Sequence, residues 1–176
     1  CFENDDIIHV DGRIDPIEDI NTINTELIIS DIETMTRRID KLKTQLKSGD
    51  KKYQVELEIC EKVMKTLDEG KAVRSLNSSL TDDEKDYVKS LFLLTDKPVI
   101  YCANVGEEDI CGGNDYSARV KEFAKSEGNE VMVLCCRAEE ELADMDDADK
   151  RAFLEELGVN DTGLDQLVSA CYTLLG

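Results

Sequence analysis

The chain of 176 residues is strongly acidic, because 40 aspartates and glutamates outnumber 21 lysines and arginines and give a formal net charge of −19. Such a charge argues against non-specific binding of nucleic acid by the body of the protein. No apolar run approaches the roughly 20 residues that span a bilayer. Seven cysteines without a C-x-x-C spacing, and one histidine, predict neither a disulfide framework nor a metal site. They indicate reduced thiols in a cytoplasmic protein.

The first long pattern predicts a helical hairpin over about residues 20–69. Asp15 and Pro16 suit the N-cap and the first position of a helix. Apolar residues then recur at spacings of four and three, as in a coiled-coil seam: Ile28, Ile32, Met35, Ile39, Leu42 and Leu46. Gly49 and Asp50 end this helix and begin a second one, with the seam Tyr53, Leu57, Cys60, Met64 and Leu67. The short turn forces antiparallel packing, and the longer helix would project about 45 Å.

The turn of this hairpin is predicted to carry a basic surface. Residues 36–52 hold seven basic residues against two acidic ones, a net charge of +5, so the rest of the chain carries −24. Either the ordinary solvated surface of a coiled coil or a basic tip for an anionic partner explains this pattern. In the second case, phosphates would be contacted without sequence reading by Arg37, Arg38, Lys41, Lys43, Lys47, Lys51 and Lys52.

A short apolar strand, predicted over residues 98–103, leads to the first candidate site residues. It is predicted to be buried on both faces, like a strand of a parallel sheet, which would also bury Cys102. Asn104 follows the end of this strand, at the edge where open α/β sheets bind ligands. Glu107, three residues further on, adds a carboxylate acceptor for a planar base.

A second strand, predicted over residues 130–134, follows a helix over residues 115–126. Strand, helix and strand form a right-handed parallel unit, so the two strand ends meet at one edge. Cys135 and Cys136 stand at the second end and are small enough to let backbone amides approach a base. A redox switch made of the two neighbouring thiols is the alternative.

Helix caps mark the remaining boundaries. Ser or Thr followed three residues later by an acid predicts a capping box, and glycine suits a helix C-terminus. These rules predict helices over residues 80–94, 139–144, 147–158 and 163–175, with the cap residues Thr81, Glu84, Asp146, Gly158, Thr162 and Asp165.

These motifs and their order resemble the YchF or Obg-like ATPases, a branch of the P-loop GTPases. The matching blocks are CFENDDIIHVDGRIDP (1–16), INTEL (23–27), KPVIYCANV (97–105), FLEELG (153–158) and TGLDQL (162–167). The resemblance implies an α/β fold: the C-terminal part of a Rossmann-like P-loop NTPase domain with a parallel sheet and an inserted antiparallel coiled-coil hairpin. Residues 1–19 and 80–176 would belong to the NTPase domain and residues 20–79 to the helical arm.

The resemblance also implies a binding site for a purine base. The base would lie between Phe2 and Val105, and Asn104 would read its edge. Cys135 and Cys136 stand where the family has its S-A-K motif, so their backbone would contact the base.

Base preference is expected to follow from a departure in the GTPase motif N-K-x-D. Here the motif is Asn104-Val105-Gly106-Glu107, in which Val replaces Lys and the longer Glu replaces Asp. A carboxylate displaced by one methylene cannot accept the same two hydrogen bonds from guanine. The resemblance accordingly implies that ATP is preferred over GTP.

The chain contains no G-x-x-x-x-G-K-[ST] motif and begins at Cys1, so we expect it to be a piece of a larger protein. The upstream part would hold the phosphates of ATP or GTP and the Mg²⁺ ligands, and no residue here is expected to be catalytic. The resemblance names the ribosome or its RNA as the partner of the arm. The alternative is an interaction module that binds a protein or RNA partner without nucleotide, which an upstream phosphate loop would exclude.

Overall fold

A computed structural model describes residues 1–2 and 14–175, so most of the block CFENDDIIHVDGRIDP (1–16) lies outside the described residues. The strands are β1 (Ile100–Asn104) and β2 (Glu130–Leu134). The helices are α1 (Pro16–Gln45), α2 (Lys51–Asp68), α3 (Asp82–Ser90), α4 (Asp115–Glu127), α5 (Cys136–Ala143), α6 (Asp147–Leu157) and α7 (Gly163–Leu175). Two compact units are present: Ile20–Pro98, and Cys1–Asp19 together with Val99–Gly176.

The two predicted seams form the core of the first unit. Met35 and Leu42 of α1 and Cys60 of α2 are fully buried within one apolar cluster. The turn is as predicted: Gly49 takes the left-handed conformation (φ 80°), which glycine adopts at little cost. The Asp50 side chain then accepts a hydrogen bond of 2.9 Å from the Lys52 N–H at the start of α2.

The helical unit includes α3, although the resemblance implies that residues 80–176 belong to the NTPase domain. Val73 of the connecting segment and Val88 of α3 are buried in the same apolar cluster as the hairpin seam. Leu80 and Leu93 join that cluster. Because α3 buries its apolar face against the hairpin, the compact unit extends to Pro98 and not to residue 79.

A buried carboxylate fixes the end of this unit. Asp31 of α1 is 2% exposed and accepts hydrogen bonds from the N–H groups of Leu94 (2.8 Å) and Thr95 (2.8 Å) and from the Thr95 hydroxyl (2.7 Å). These contacts hold the segment after α3 in an irregular conformation, with Phe92 at a φ of 54°. The prediction of a helix through residue 94 was therefore wrong, since α3 ends at Ser90.

The second unit is built on the predicted parallel strand pair. β1 and β2 pair in parallel, with Asn104 opposite Leu134. β2 has the predicted bounds, whereas β1 starts two residues later than expected and includes Asn104 as its last residue. Asn104 therefore extends from the strand end itself, and its position is fixed by the sheet.

One face of β1 is less covered than predicted. Tyr101 contacts Phe123 of α4 edge-on at a centroid distance of 5.8 Å, and Ala103 is buried. Cys102 lies between them in sequence and points to the opposite face, because side chains alternate along a strand. Its thiol is exposed, so the prediction that Cys102 is buried was wrong.

The C-terminal helices begin at the predicted caps. Asp146 accepts hydrogen bonds from two N–H groups at the start of α6, and Gly158 ends that helix at a φ of 72°. Thr162 accepts a bond of 3.0 Å from the Asp165 N–H. A contact not predicted joins α5 to α7: Glu139 accepts bonds from the N–H groups of Gly163 (2.6 Å) and Leu164 (3.3 Å).

Candidate nucleotide-base site

The two strand ends are joined by a hydrogen bond between a side chain and the backbone. The N–H of Cys136 donates to Oδ1 of Asn104 at 2.9 Å. This bond satisfies an N–H in the first turn of α5, where helix N–H groups have no partner within the helix. It also explains why α5 begins at Cys136, three residues before the helix predicted from residue 139.

A cavity of 550 Å³ lies at these strand ends. All six residues predicted to contact the base line it: Phe2, Asn104, Val105, Glu107, Cys135 and Cys136. Gly106, Glu108, Arg137 and Glu140 complete the lining. Residues from three separated stretches of the chain thus meet at the carboxyl edge of the parallel sheet, where α/β folds hold ligands.

Val105 and Cys135 supply a buried apolar part of this lining. Val105 is 1% exposed, and its N–H donates a bond of 2.9 Å to the Leu134 carbonyl, which extends the strand pairing by one residue. Cys135 is also buried, while the Cys136 thiol is exposed. The half-buried ring of Phe2 adds an aromatic surface of the kind that stacks on a base.

Charged side chains surround the other part of the cavity. Glu107, Glu108 and Glu140 are acidic, and Arg137 is the one cation among the described lining residues. Arg137 Nε lies 3.2 Å from Glu107 Oε1 and 3.5 Å from Glu141 Oε1. Because carboxylates outnumber cations, the cavity suits an uncharged ring with hydrogen-bonding edges better than it suits a phosphate group.

Comparison with known proteins gives a consistent result, although no family model matches the chain. The chain is 43% identical, over all of its length, to a protein of Bacillus subtilis named ribosome-binding ATPase YchF. It is also 43% identical, over 99% of its length, to the protein of the same name from Haemophilus influenzae. The chain belongs to the YchF family. It spans about half the length of these curated relatives, 48% and 47% respectively.

A solved structure extends the likeness to the fold. The YchF GTPase of Schizosaccharomyces pombe superposes with a TM-score of 0.82 at 27% identity, over 99% of this chain and 48% of that one. The YchF-family chain therefore has the predicted α/β fold, with a parallel strand pair and a helical hairpin.

Six of the seven predicted arm residues lie exposed around the hairpin turn of this YchF-family chain. Lys43 lies in the last turn of α1, Lys47 lies in the hairpin turn, and Lys51 and Lys52 begin α2. Arg37 and Lys41 are exposed on α1. Lys52 forms an ion pair with Glu56 one turn further along α2, with 3.8 Å between Nζ and Oε1.

Arg38 differs from the other six, because it is engaged within the helical unit. Its Nη2 lies 3.0 Å from Glu56 Oε2, and its Nε donates to the Tyr87 hydroxyl at 3.2 Å. The guanidinium also lies over the Tyr87 ring, 5.7 Å from its centroid. The hydrogen bond from Arg38 to Tyr87 raises the pKa of Arg38. Arg38 is thus placed to tie α1 to α2 and α3.

Other observations limit the chemistry of the described residues. No group of three or more His, Cys, Asp or Glu side chains among them is arranged to hold a metal ion. In the same part of the chain, no helix is both long and apolar enough to cross a membrane.

Sequence reasoning missed Arg137 and Glu139. Arg137 forms an ion pair with Glu107, and Glu139 accepts a hydrogen bond from the Gly163 N–H. Both partners are distant in sequence, and no local sequence pattern predicts such contacts. The position of Arg137, directly after the cysteine pair and in the first turn of α5, was the one available signal.

Proposed function

We propose that this chain is the base-recognition part and helical arm of a ribosome-associated P-loop nucleotide hydrolase that binds and hydrolyses ATP in preference to GTP. The observation that supports it best is the cavity at the strand ends, since every residue predicted to contact a base lines it. Family membership supports the same function, because the relatives are named ribosome-binding ATPases.

The lining favours recognition of a base. Asn104 has its Oδ1 occupied by the Cys136 N–H, so its amide nitrogen is the branch that can donate to a ring nitrogen. Val105 offers an apolar contact to a ring, and the three nearby carboxylates oppose a phosphate. We propose that the phosphates and Mg²⁺ are held by the part of the full-length protein that this chain does not span.

Preference for ATP is proposed from the motif Asn104-Val105-Gly106-Glu107. Reading guanine needs a carboxylate that accepts from two neighbouring N–H groups with both oxygens. Glu107 is one methylene longer than the Asp of GTPases, and its Oε1 is engaged by Arg137. Guanine would therefore leave buried donors without partners, which costs about 1–3 kcal/mol for each group.

The arm is proposed to be the ribosome-binding element. The compact unit Ile20–Pro98 carries the basic turn on a hairpin whose longer helix has 30 residues. Its exposed lysines and arginine suit contact with RNA phosphates without sequence specificity. A ribosome-associated hydrolase of this kind would work in the cytoplasm.

The test is nucleotide binding and hydrolysis by the full-length protein that carries this sequence. Isothermal titration should give a lower Kd for ATP than for GTP. The full-length protein should also hydrolyse ATP. The isolated chain should bind ATP at millimolar concentration or not at all, because phosphate contacts supply most of the affinity in P-loop proteins. GTP binding at least tenfold tighter than ATP binding would contradict the proposed base preference.

A further inference from the structure

An ion pair connects two segments that border the candidate base cavity. Arg137 Nε in the first turn of α5 lies 3.2 Å from Glu107 Oε1 in the segment after β1, and both residues line the cavity. A second carboxylate, Glu141, lies 3.5 Å from the same nitrogen, one helical turn further along α5. Glu141, on the same helix as Arg137, therefore helps to hold the guanidinium near Glu107.

The pair is exposed enough for a ligand to reach both partners. The side chain of Arg137 is 76% exposed and that of Glu107 is 41% exposed. Exposed ion pairs contribute little to stability and are readily exchanged for other contacts. Its position at the cavity thus matters more than any contribution to folding.

We propose that Arg137 is a specificity-determining residue of the base site, which acts by sharing the Glu107 carboxylate. This inference rests on the proposed function. A carboxylate only accepts hydrogen bonds and a guanidinium only donates them, so the pair presents an acceptor and a donor side by side.

Adenine matches that arrangement in one orientation, and guanine does not. The edge of adenine has an amino donor at position 6 beside a ring acceptor at position 1, whereas guanine has an acceptor at position 6 and a donor at position 1. The sugar and phosphates fix the orientation of the base in such a site. There, Glu107 would accept a hydrogen bond from the amino group at position 6 of adenine, and Arg137 would donate one to the ring nitrogen at position 1. Guanine would place acceptor against acceptor and donor against donor.

The experiment compares ADP with GDP binding by the full-length protein and its variants, using isothermal titration. Arg137→Met should lower the ratio of ADP to GDP affinity by roughly three- to tenfold, the change that one net hydrogen bond produces. Arg137→Lys keeps the charge and a donor and should retain most of the preference. Arg151→Met removes the same charge from the exposed surface of α6 and should leave the ratio unchanged.

A double-mutant comparison tests whether Arg137 acts through Glu107. Adding Arg137→Met to Glu107→Gln should change the ratio less than Arg137→Met does alone, because the shared carboxylate is already gone. If Arg137→Met binds both nucleotides with the wild-type ratio, the inference is wrong while the proposed function stands. If the wild-type protein binds neither nucleotide, the proposed function itself fails.

Discussion

The side chain of Asn104 and the backbone of Cys136 form one hydrogen-bonded unit, with 2.9 Å between Oδ1 and the N–H nitrogen. The bond joins the end of β1 to the start of α5. It fixes which branch of the Asn104 amide is the acceptor, so the nitrogen branch remains to donate to a ligand. Asn104 would therefore shape the cavity and contact the base at once.

Two substitutions at Asn104 should separate these roles. Asn104→Ala removes both the acceptor for the Cys136 N–H and the donor to the base. In the full-length protein the affinity for ADP should then fall by about 1–3 kcal/mol, or roughly 5- to 150-fold. Asn104→Asp keeps the acceptor for Cys136 and loses the donor. Amide hydrogen exchange of Cys136 should thus accelerate in the Ala variant and stay slow in the Asp variant. Equal exchange rates in the two variants would show that the bond does not hold α5.

Short-range features of this fold could be predicted from sequence, because the interacting residues lie three or four positions apart. The capping box of Thr81 and Glu84 is present as predicted, with Thr81 accepting from the Glu84 N–H and Glu84 from the Thr81 N–H. The coiled-coil seams could be predicted equally well, since their spacing follows the helical repeat. The strand pair followed from the strand–helix–strand order.

Long-range contacts could not be predicted in this way. Asp31 was one acid among many in a helix, yet it is buried by contacts with Thr95, 64 residues away. Arg38 looked like its exposed basic neighbours, and only the folded unit brings Tyr87 to it. The exposure of Cys102 depends on which face of β1 is covered by α4, which residue type alone does not specify.

Removal of the Asp31 carboxylate should destabilise the helical unit. Asp31→Ala leaves the N–H groups of Leu94 and Thr95 and the Thr95 hydroxyl without their acceptor. We expect a loss of about 3 kcal/mol in the free energy of unfolding, measured by urea denaturation followed by circular dichroism. Asp40→Ala, an exposed position on the same helix, is the matched control and should change it by less than about 0.5 kcal/mol. A loss no larger than that of the control would mean that water replaces the carboxylate.

Acid should weaken the start of α3 through Glu84. The ion pair with Lys62, and then the hydrogen bond from the Thr81 N–H, lower the pKa of Glu84 from 4.5 to about 2. A carboxyl group whose pKa is lowered by folding stabilises the folded state above its unfolded pKa, and this contribution is lost as the pH falls through the folded pKa. The stability that Glu84 contributes should therefore be lost as the pH is lowered from about 4.5 to about 2, the two pKa values of this carboxyl group.

This titration can be followed directly in the isolated chain. NMR of the Glu84 side chain should give a midpoint near pH 2, and Lys62→Met should raise that midpoint because it removes the largest cause of the shift. Lys85→Met serves as the control, since Lys85 pairs with Asp82 on the same helix and not with Glu84. A midpoint near 4.5 in the unsubstituted chain would show that the exposed pair does not persist in solution.

Charge reversal at the arm tests the proposed contact with the ribosome. Lys43, Lys47, Lys51 and Lys52 flank the hairpin turn and are exposed. The screening length at physiological salt is about 8 Å, so charges remote from the turn do not cancel its field. Replacing all four by Glu in the full-length protein should abolish co-sedimentation with ribosomes and leave ATP hydrolysis largely unchanged.

The matched control reverses four exposed lysines elsewhere: Lys65, Lys89, Lys121 and Lys125. Because it produces the same change in net charge, it separates a local contact from a general effect of acidity on association with RNA. The control should still co-sediment, and binding of the unsubstituted protein should weaken steeply as salt rises, since phosphate contacts release counterions. Arg38→Met should instead lower the stability of the helical unit, because Arg38 bonds Glu56 and Tyr87. If the arm variant pellets with ribosomes as well as the control does, the basic turn is an ordinary solvated helix surface and the ribosome contact lies elsewhere.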